Sequence, residues 1–174
     1  MKINLWSITL LIVFSVTSSA EAQILWNQTE YGMTQKQVLA VIPNTVSTVN
    51  PQKLPDGSVS LLRRDGIYIV DNIFSAYFYF KAEKLTQVVL SLAEPLSYDE
   101  ILGVFETVKV ALNKKYGELE DYNEEHVEGM FIKFYASWSF AGTDISLEMI
   151  SFDESAAELS VNYNASPGSV TGQP

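Results

Sequence analysis

Phe134-Tyr135-Ala136-Ser137-Trp138-Ser139-Phe140 alternates apolar and polar side chains, and Ile145-Ser146-Leu147-Glu148-Met149 resumes the alternation four residues later. A period of two is the signature of a strand with one buried face, so the two runs predict a β-hairpin. Turning it through Ala141-Gly142-Thr143-Asp144 sets Phe140 against Ile145, Trp138 against Leu147 and Ala136 against Met149. Those six form one apolar face. The reverse face pairs Ser139 with Ser146 and Ser137 with Glu148 and reads as solvated.

Sixty residues upstream, residues 74–80 turn through Lys81-Ala82-Glu83-Lys84 into residues 85–92, with a loop of the same length. The same register puts Phe80 with Leu85, Phe78 with Gln87 and Ala76 with Val89 on the inner face. Its outer face then carries Tyr79 with Thr86, Tyr77 with Val88 and Ser75 with Leu90. A face that should be wet holds two tyrosines, a valine and a leucine. Tyrosine combines a large apolar ring with a polar tip and is enriched at interfaces. Tyr77, Tyr79, Val88 and Leu90 are therefore the candidate partner surface. The competing reading is that the long loop or a neighbouring hairpin covers this patch, or that a β-bulge turns the set inward.

Two helix starts precede the two hairpins. Thr34-Gln35-Lys36-Gln37 and Ser97-Tyr98-Asp99-Glu100 both fit the S/T-x-x-E/Q capping box, 63 residues apart. After the second, Ile101, Phe105, Val108 and Leu112 recur along one helical face. Lys114 and Lys115 suit the negative end of the helix dipole, and Gly117 can end the helix in the left-handed conformation. The first helix is short and is closed by Pro43. A strand over 159–163 completes the sheet, and 59–70 reads as a further hairpin around Arg64-Asp65-Gly66. Residues 44–57 read as a long loop and 164–174 as a mobile tail.

The architecture expected is α+β: two layers, with helices on one face of a mostly antiparallel sheet, in a single domain over 23–163. Helix plus strands occurs twice in it, as pseudo-repeats over about 31–92 and 97–163. A β-sandwich or barrel with one added helix is the alternative.

Residues 1–22 read as a secretory signal peptide: Lys2, a mostly apolar run from 3 to 16, then Ala20-Glu21-Ala22 of the cleavage type. The run falls short of the roughly 20 apolar residues needed to span a bilayer. The chain is therefore expected to be exported, to the periplasm or beyond the cell, with no transmembrane span in the mature chain. It has no cysteine, which excludes disulfides, thiolate–metal sites and a lipidated N-terminal cysteine. Between residues 23 and 95, six basic and six acidic side chains cancel. From 96 onward four basic residues face fourteen acidic ones, so the whole net charge of −10 lies there. That balance argues against nucleic-acid binding, which needs a basic surface.

Chemistry is sparse. His126 is the only histidine, within Glu124-Glu125-His126-Val127-Glu128, which reads as a charged connection between helix and strand. No nucleophile elbow, phosphate loop, HExxH or EF-hand pattern occurs. Asp121, Glu124, Glu125 and Glu128 lack the ordered spacing of a calcium loop and read as a solvated acidic stretch. No catalytic, cofactor or metal residues are assigned.

The segment Tyr31-Gly32-Met33-Thr34-Gln35-Lys36-Gln37-Val38-Leu39 resembles the opening of bacterial envelope domains of the SmpA/OmlA type, in which a helix precedes antiparallel strands. The doubled helix-plus-strands plan looks like the duplicated β-lactamase-inhibitor-protein fold. Both resemblances imply an exported binding or assembly module and no site residue. The expected function is thus a soluble interaction module of the bacterial cell envelope that binds a protein or envelope component and is not an enzyme. The alternative is a small secreted hydrolase using carboxylates.

Overall fold

The computed structural model describes residues 23–153 and 156–166. The segment read as a signal peptide and residues 167–174 of the tail lie outside the described residues. A short hairpin, β1 (Ile24–Trp26) and β2 (Thr29–Glu30), opens the fold and leads into helix α1 (Gln35–Val41). Four strands follow: β3 (Val46–Ser47), β4 (Val59–Ile69), β5 (Asn72–Lys81) and β6 (Lys84–Leu92). Helix α2 (Tyr98–Tyr116) then precedes β7 (Asp121–Val127), β8 (Phe131–Phe140), β9 (Thr143–Asp153) and β10 (Ala156–Ala165). The strands β3 to β10 form one antiparallel sheet in the order β3-β4-β5-β6-β10-β9-β8-β7.

This corrects the α+β expectation. The described residues are mostly β, 53% strand and 19% helical, and the helices are minor elements beside an eight-stranded sheet. Two misread segments account for the difference. The acidic stretch taken as a connection is strand β7, exposed along nearly its whole length at the sheet edge. A strand with no buried face carries no period-two signal, so its sequence reads as loop. Residues 59–69 are likewise one strand, β4, and Gly66 lies at a register shift between Arg64 and Ile67, not at a hairpin turn. A glycine within a strand marks a bulge as readily as a turn.

Each helix precedes four strands, and the last strand of each set, β6 and β10, meet at the centre through pairs such as Leu90–Val161 and Val88–Tyr163. The strand over 159–163 thus lies at the middle of the sheet, and it runs on to Ala165. With β6 and β10 antiparallel, strand order and direction match on the two sides when β4, β5 and β6 are set on β8, β9 and β10. The counterpart of the 134–152 hairpin is then β4–β5, one hairpin earlier than the 74–92 hairpin that its loop length suggested.

The loops are shorter than read. Lys81 pairs with Lys84 and Phe140 with Thr143, leaving two-residue turns, Ala82-Glu83 and Ala141-Gly142. Val70-Asp71 forms a third between β4 and β5. All six residues have positive φ, the backbone of the type I′ turn that matches strand twist.

One face of the sheet carries the core. Phe74, Ala76, Phe78, Phe80, Val88 and Leu90 on one side of the seam, and Phe134, Ala136, Trp138, Ile145, Leu147 and Val161 on the other, belong to a single buried cluster. Ile101, Phe105, Val108 and Leu112 of α2 enter it, as their spacing predicts, with Val104. Leu25 of β1, Val38 of α1 and Ile42 beyond it also belong to the cluster. Trp138 is buried and its indole Nε1 donates to Asn113 Oδ1 of α2 at 2.8 Å. Both capping boxes form: Thr34 N donates to Gln37 Oε1 at 2.8 Å, and Ser97 N to Glu100 Oε2 at 2.9 Å.

Candidate functional site

The four residues of the candidate surface do not share a face. From Lys81–Lys84 and Phe80–Leu85 the β5–β6 register shifts, so that Tyr79 faces Gln87, Phe78 faces Val88, Tyr77 faces Val89 and Ala76 faces Leu90. The extra residue on β6, Thr86, turns the rest of that strand over. Val88 and Leu90 consequently point into the core, at 0% and 1% exposure, and are removed from the surface. Val89 takes their place beside Tyr77 but is itself buried, at 9% exposure. Strand alternation alone cannot locate a bulge, so this side-chain flip leaves no mark in the sequence.

Tyr77 and Tyr79 do stand on the face away from the core, with different outcomes. Tyr79 is buried, at 3% exposure, and its hydroxyl donates to Gln52 Oε1 at 3.2 Å. Gln52 is held against β4 by reciprocal bonds: its N–H donates to Ser60 Oγ at 2.8 Å, and its carbonyl accepts from Ser60 N at 2.9 Å. The segment read as a long loop therefore takes Tyr79 out of contact with solvent, and burial pushes its phenol above the ordinary tyrosine range. Tyr77 stays half-buried, between Arg63 of β4 and Val89 of β6.

From Tyr77 a register row runs across the outer face: Val89, then Asn162 of β10, Ser146 of β9 and Ser137 of β8. Adjacent strands lie about 4.8 Å apart, so five such strands make a band roughly 20 Å wide. The next row, Ser91, Ser160, Glu148 and Tyr135, is similarly polar with one aromatic. Asn162 Nδ2 lies 3.3 Å from Ser146 Oγ, and Lys133 pairs with Glu148 at 3.1 Å. This is a polar field of amide, hydroxyl and charged groups, with half-buried Tyr77 at one end.

The helix side holds a cleft of about 1060 Å³ between the start of α2 and the β7–β8 hairpin. Ile132 and Ser151 line it, with Tyr98 and Asp99 from the helix and His126, Glu128 and Met130 from the hairpin. Phe152 and Met130, at 65% and 63% exposure, stand at its margin. His126 Nε2 lies 2.6 Å from Glu124 Oε1, and its ring meets Phe134 edge-on at 6.3 Å. Burial, together with the charges of Glu124 and Asp99, holds the Tyr98 phenol above its ordinary range. Reading 124–128 as a connection hid this constellation. On strand β7, Glu124 and His126 are two residues apart and so share a face.

Among the described residues, no group of three or more His, Asp or Glu side chains is placed to hold a metal ion. No helix among them is long and apolar enough to cross a membrane. No family model matches the chain, and no curated protein or solved structure matches it at a significant level.

Proposed function

We propose that the chain is an exported binding module, carried to the periplasm or outside the cell, that captures a protein or envelope component on the outer face of its sheet. The observation that carries this reading is the in-register row of Tyr77, Val89, Asn162, Ser146 and Ser137 on a face to which neither helix contributes core residues. Tyr77 is an aromatic of the kind enriched at interfaces, and the hydroxyl and amide groups beside it can supply the hydrogen bonds that an interface uses. The resemblance of residues 31–39 to envelope domains agrees with it.

Capture from a native envelope fraction tests the proposal. The variant Tyr77→Ser should unfold near the temperature of the parent and lose at least tenfold in partner affinity, the scale of an interface anchor. Retained capture by this folded variant would end the assignment of the outer face.

One observation favours a second reading, a carboxylate-dependent hydrolase: the His126–Glu124 contact at the cleft. His126→Ala separates the two. An unchanged affinity for the captured partner supports the binding module, and loss of a hydrolytic activity supports the enzyme.

A further inference from the structure

We infer that the free edge of β7 and the adjoining cleft form a second docking site, which takes an extended basic peptide segment as a ninth strand of the sheet. The inference rests on the chain being a binding module but not on the outer face. β7 ends the strand order, and among the described residues no strand pairs with it on its far side. Alternate residues of a terminal strand direct their N–H and C=O groups away from the sheet, which is the template used in strand addition. β7 is seven residues long, whereas the opposite terminal strand, β3, has two. β7 is thus the longer of the two terminal strands, with seven residues to hold a peptide in register.

The side chains select what can pair there. Asp121, Glu124 and Glu125 lie on β7, with Glu128 just beyond it. These carboxylates repel a second copy of the same edge, which protects against self-association. Asp121 and Glu125, on the face opposite Tyr122, Glu124 and His126, attract the lysine or arginine side chains of an incoming strand, because opposite charges across a strand pair are favourable. Tyr122, Glu124 and His126 face the helix side, being paired with Ala136, Phe134 and Ile132 of β8. A long apolar side chain of the added strand beside His126 would overhang the mouth of the cleft. Met130, Phe131, Ile132 and Phe152 line that cleft, and no lysine or arginine does. Exposed Met130 supplies an unbranched, adaptable contact, as methionines do at surfaces that accept varied sequences. The occupant is therefore a segment in which lysine or arginine alternates with apolar residues.

The probe is a fluorescent heptapeptide, Lys-Val-Lys-Leu-Lys-Phe-Lys, titrated against the full mature chain, with amide hydrogen exchange followed on β7. Saturable binding and slowed exchange of the outward-facing β7 amides are expected. Glu124→Lys/Glu125→Lys and Met130→Ser, both at exposed positions, should each weaken binding at least tenfold. Only one of the two alternate patterns of peptide N-methylation should block it, because one set of amides faces β7. Equal binding of both N-methylated peptides and the parent would show attraction by charge without strand addition, and would overturn the inference. So would absence of binding, or dimerisation of the free chain through β7. The Tyr77→Ser variant should bind the heptapeptide normally. If peptide binding fails while envelope capture persists, the edge site falls and the binding module stands.

Discussion

Trp138 and Val70 bring local chemistry and global packing into conflict. A buried indole N–H must be paired, and Asn113 supplies the acceptor across the helix–sheet boundary. Asn113→Ala leaves that donor without its partner and should cost about 1–3 kcal/mol, read as a lower urea midpoint at unchanged slope. Val70 is the reverse case: a β-branched residue at φ 45° in the left-handed region, in a turn where Asn-Gly is the favoured pair. Val70→Asn should therefore raise stability by roughly 1 kcal/mol, measured by thermal unfolding. Tyr79 and Tyr77 also separate here. Tyr79→Ser removes a buried ring and should destabilise by about 3 kcal/mol, whereas Tyr77→Ser should cost far less. Neighbouring tyrosines of one strand thus belong to different parts of the molecule, because Gln52 reaches only one of them.

Helix α2 shows how an element is closed by its own ends. The Ser97 hydroxyl and backbone N–H both donate to the Glu100 carboxylate, holding its pKa below the ordinary glutamate value. A depressed carboxylate stabilises the fold above its unfolded pKa, and the contribution is lost as pH falls through the folded value. Ser97→Ala keeps the backbone N–H but loses the hydroxyl, so it should raise the Glu100 pKa toward the usual range, seen by NMR titration, and should weaken that acid-side dependence in the first turn of α2. The helix was legible in the sequence because capping box, apolar stripe, terminal lysines and Gly117 all agree. Strand β7 was not, since no buried face imprints a pattern on an acidic edge.

The whole molecule joins its two sets of strands along β6–β10, within one sheet and over one continuous core cluster. Separate melting of the halves would expose Leu90, Val161 and their neighbours at the seam, so unfolding should be a single transition. Far-UV circular dichroism and the fluorescence of Trp26 and Trp138, one in each half, should give coincident urea curves. Two resolved steps would show that the seam does not couple the halves. Charge is distributed on the same scale: the acidic excess belongs to the α2–β10 half, and part of it lies on the open edge of the sheet.

Local periodicity and capping by themselves determined the inner faces of β5 and β9, that of β8 as far as Trp138 (Phe140, expected inside, is 52% exposed, and Trp138 pairs with Ile145 in place of Leu147), the position and buried face of α2, and the absence of thiol chemistry. These depend on interactions within a few residues or on composition, so they are written in neighbouring letters. Only the tertiary structure decided the bulge at Thr86 that turned Val88 and Leu90 inward, the burial of Tyr79 beside Gln52, and the place of β10 at the centre of the sheet. It also decided that Val-Asp and Ala-Glu would serve as tight turns. Each of these is set by long-range pairing: core side chains such as Phe74 and Phe80 hold the register, and the turns and bulges absorb the residues left over. A local sequence cannot record which distant strand will demand that adjustment.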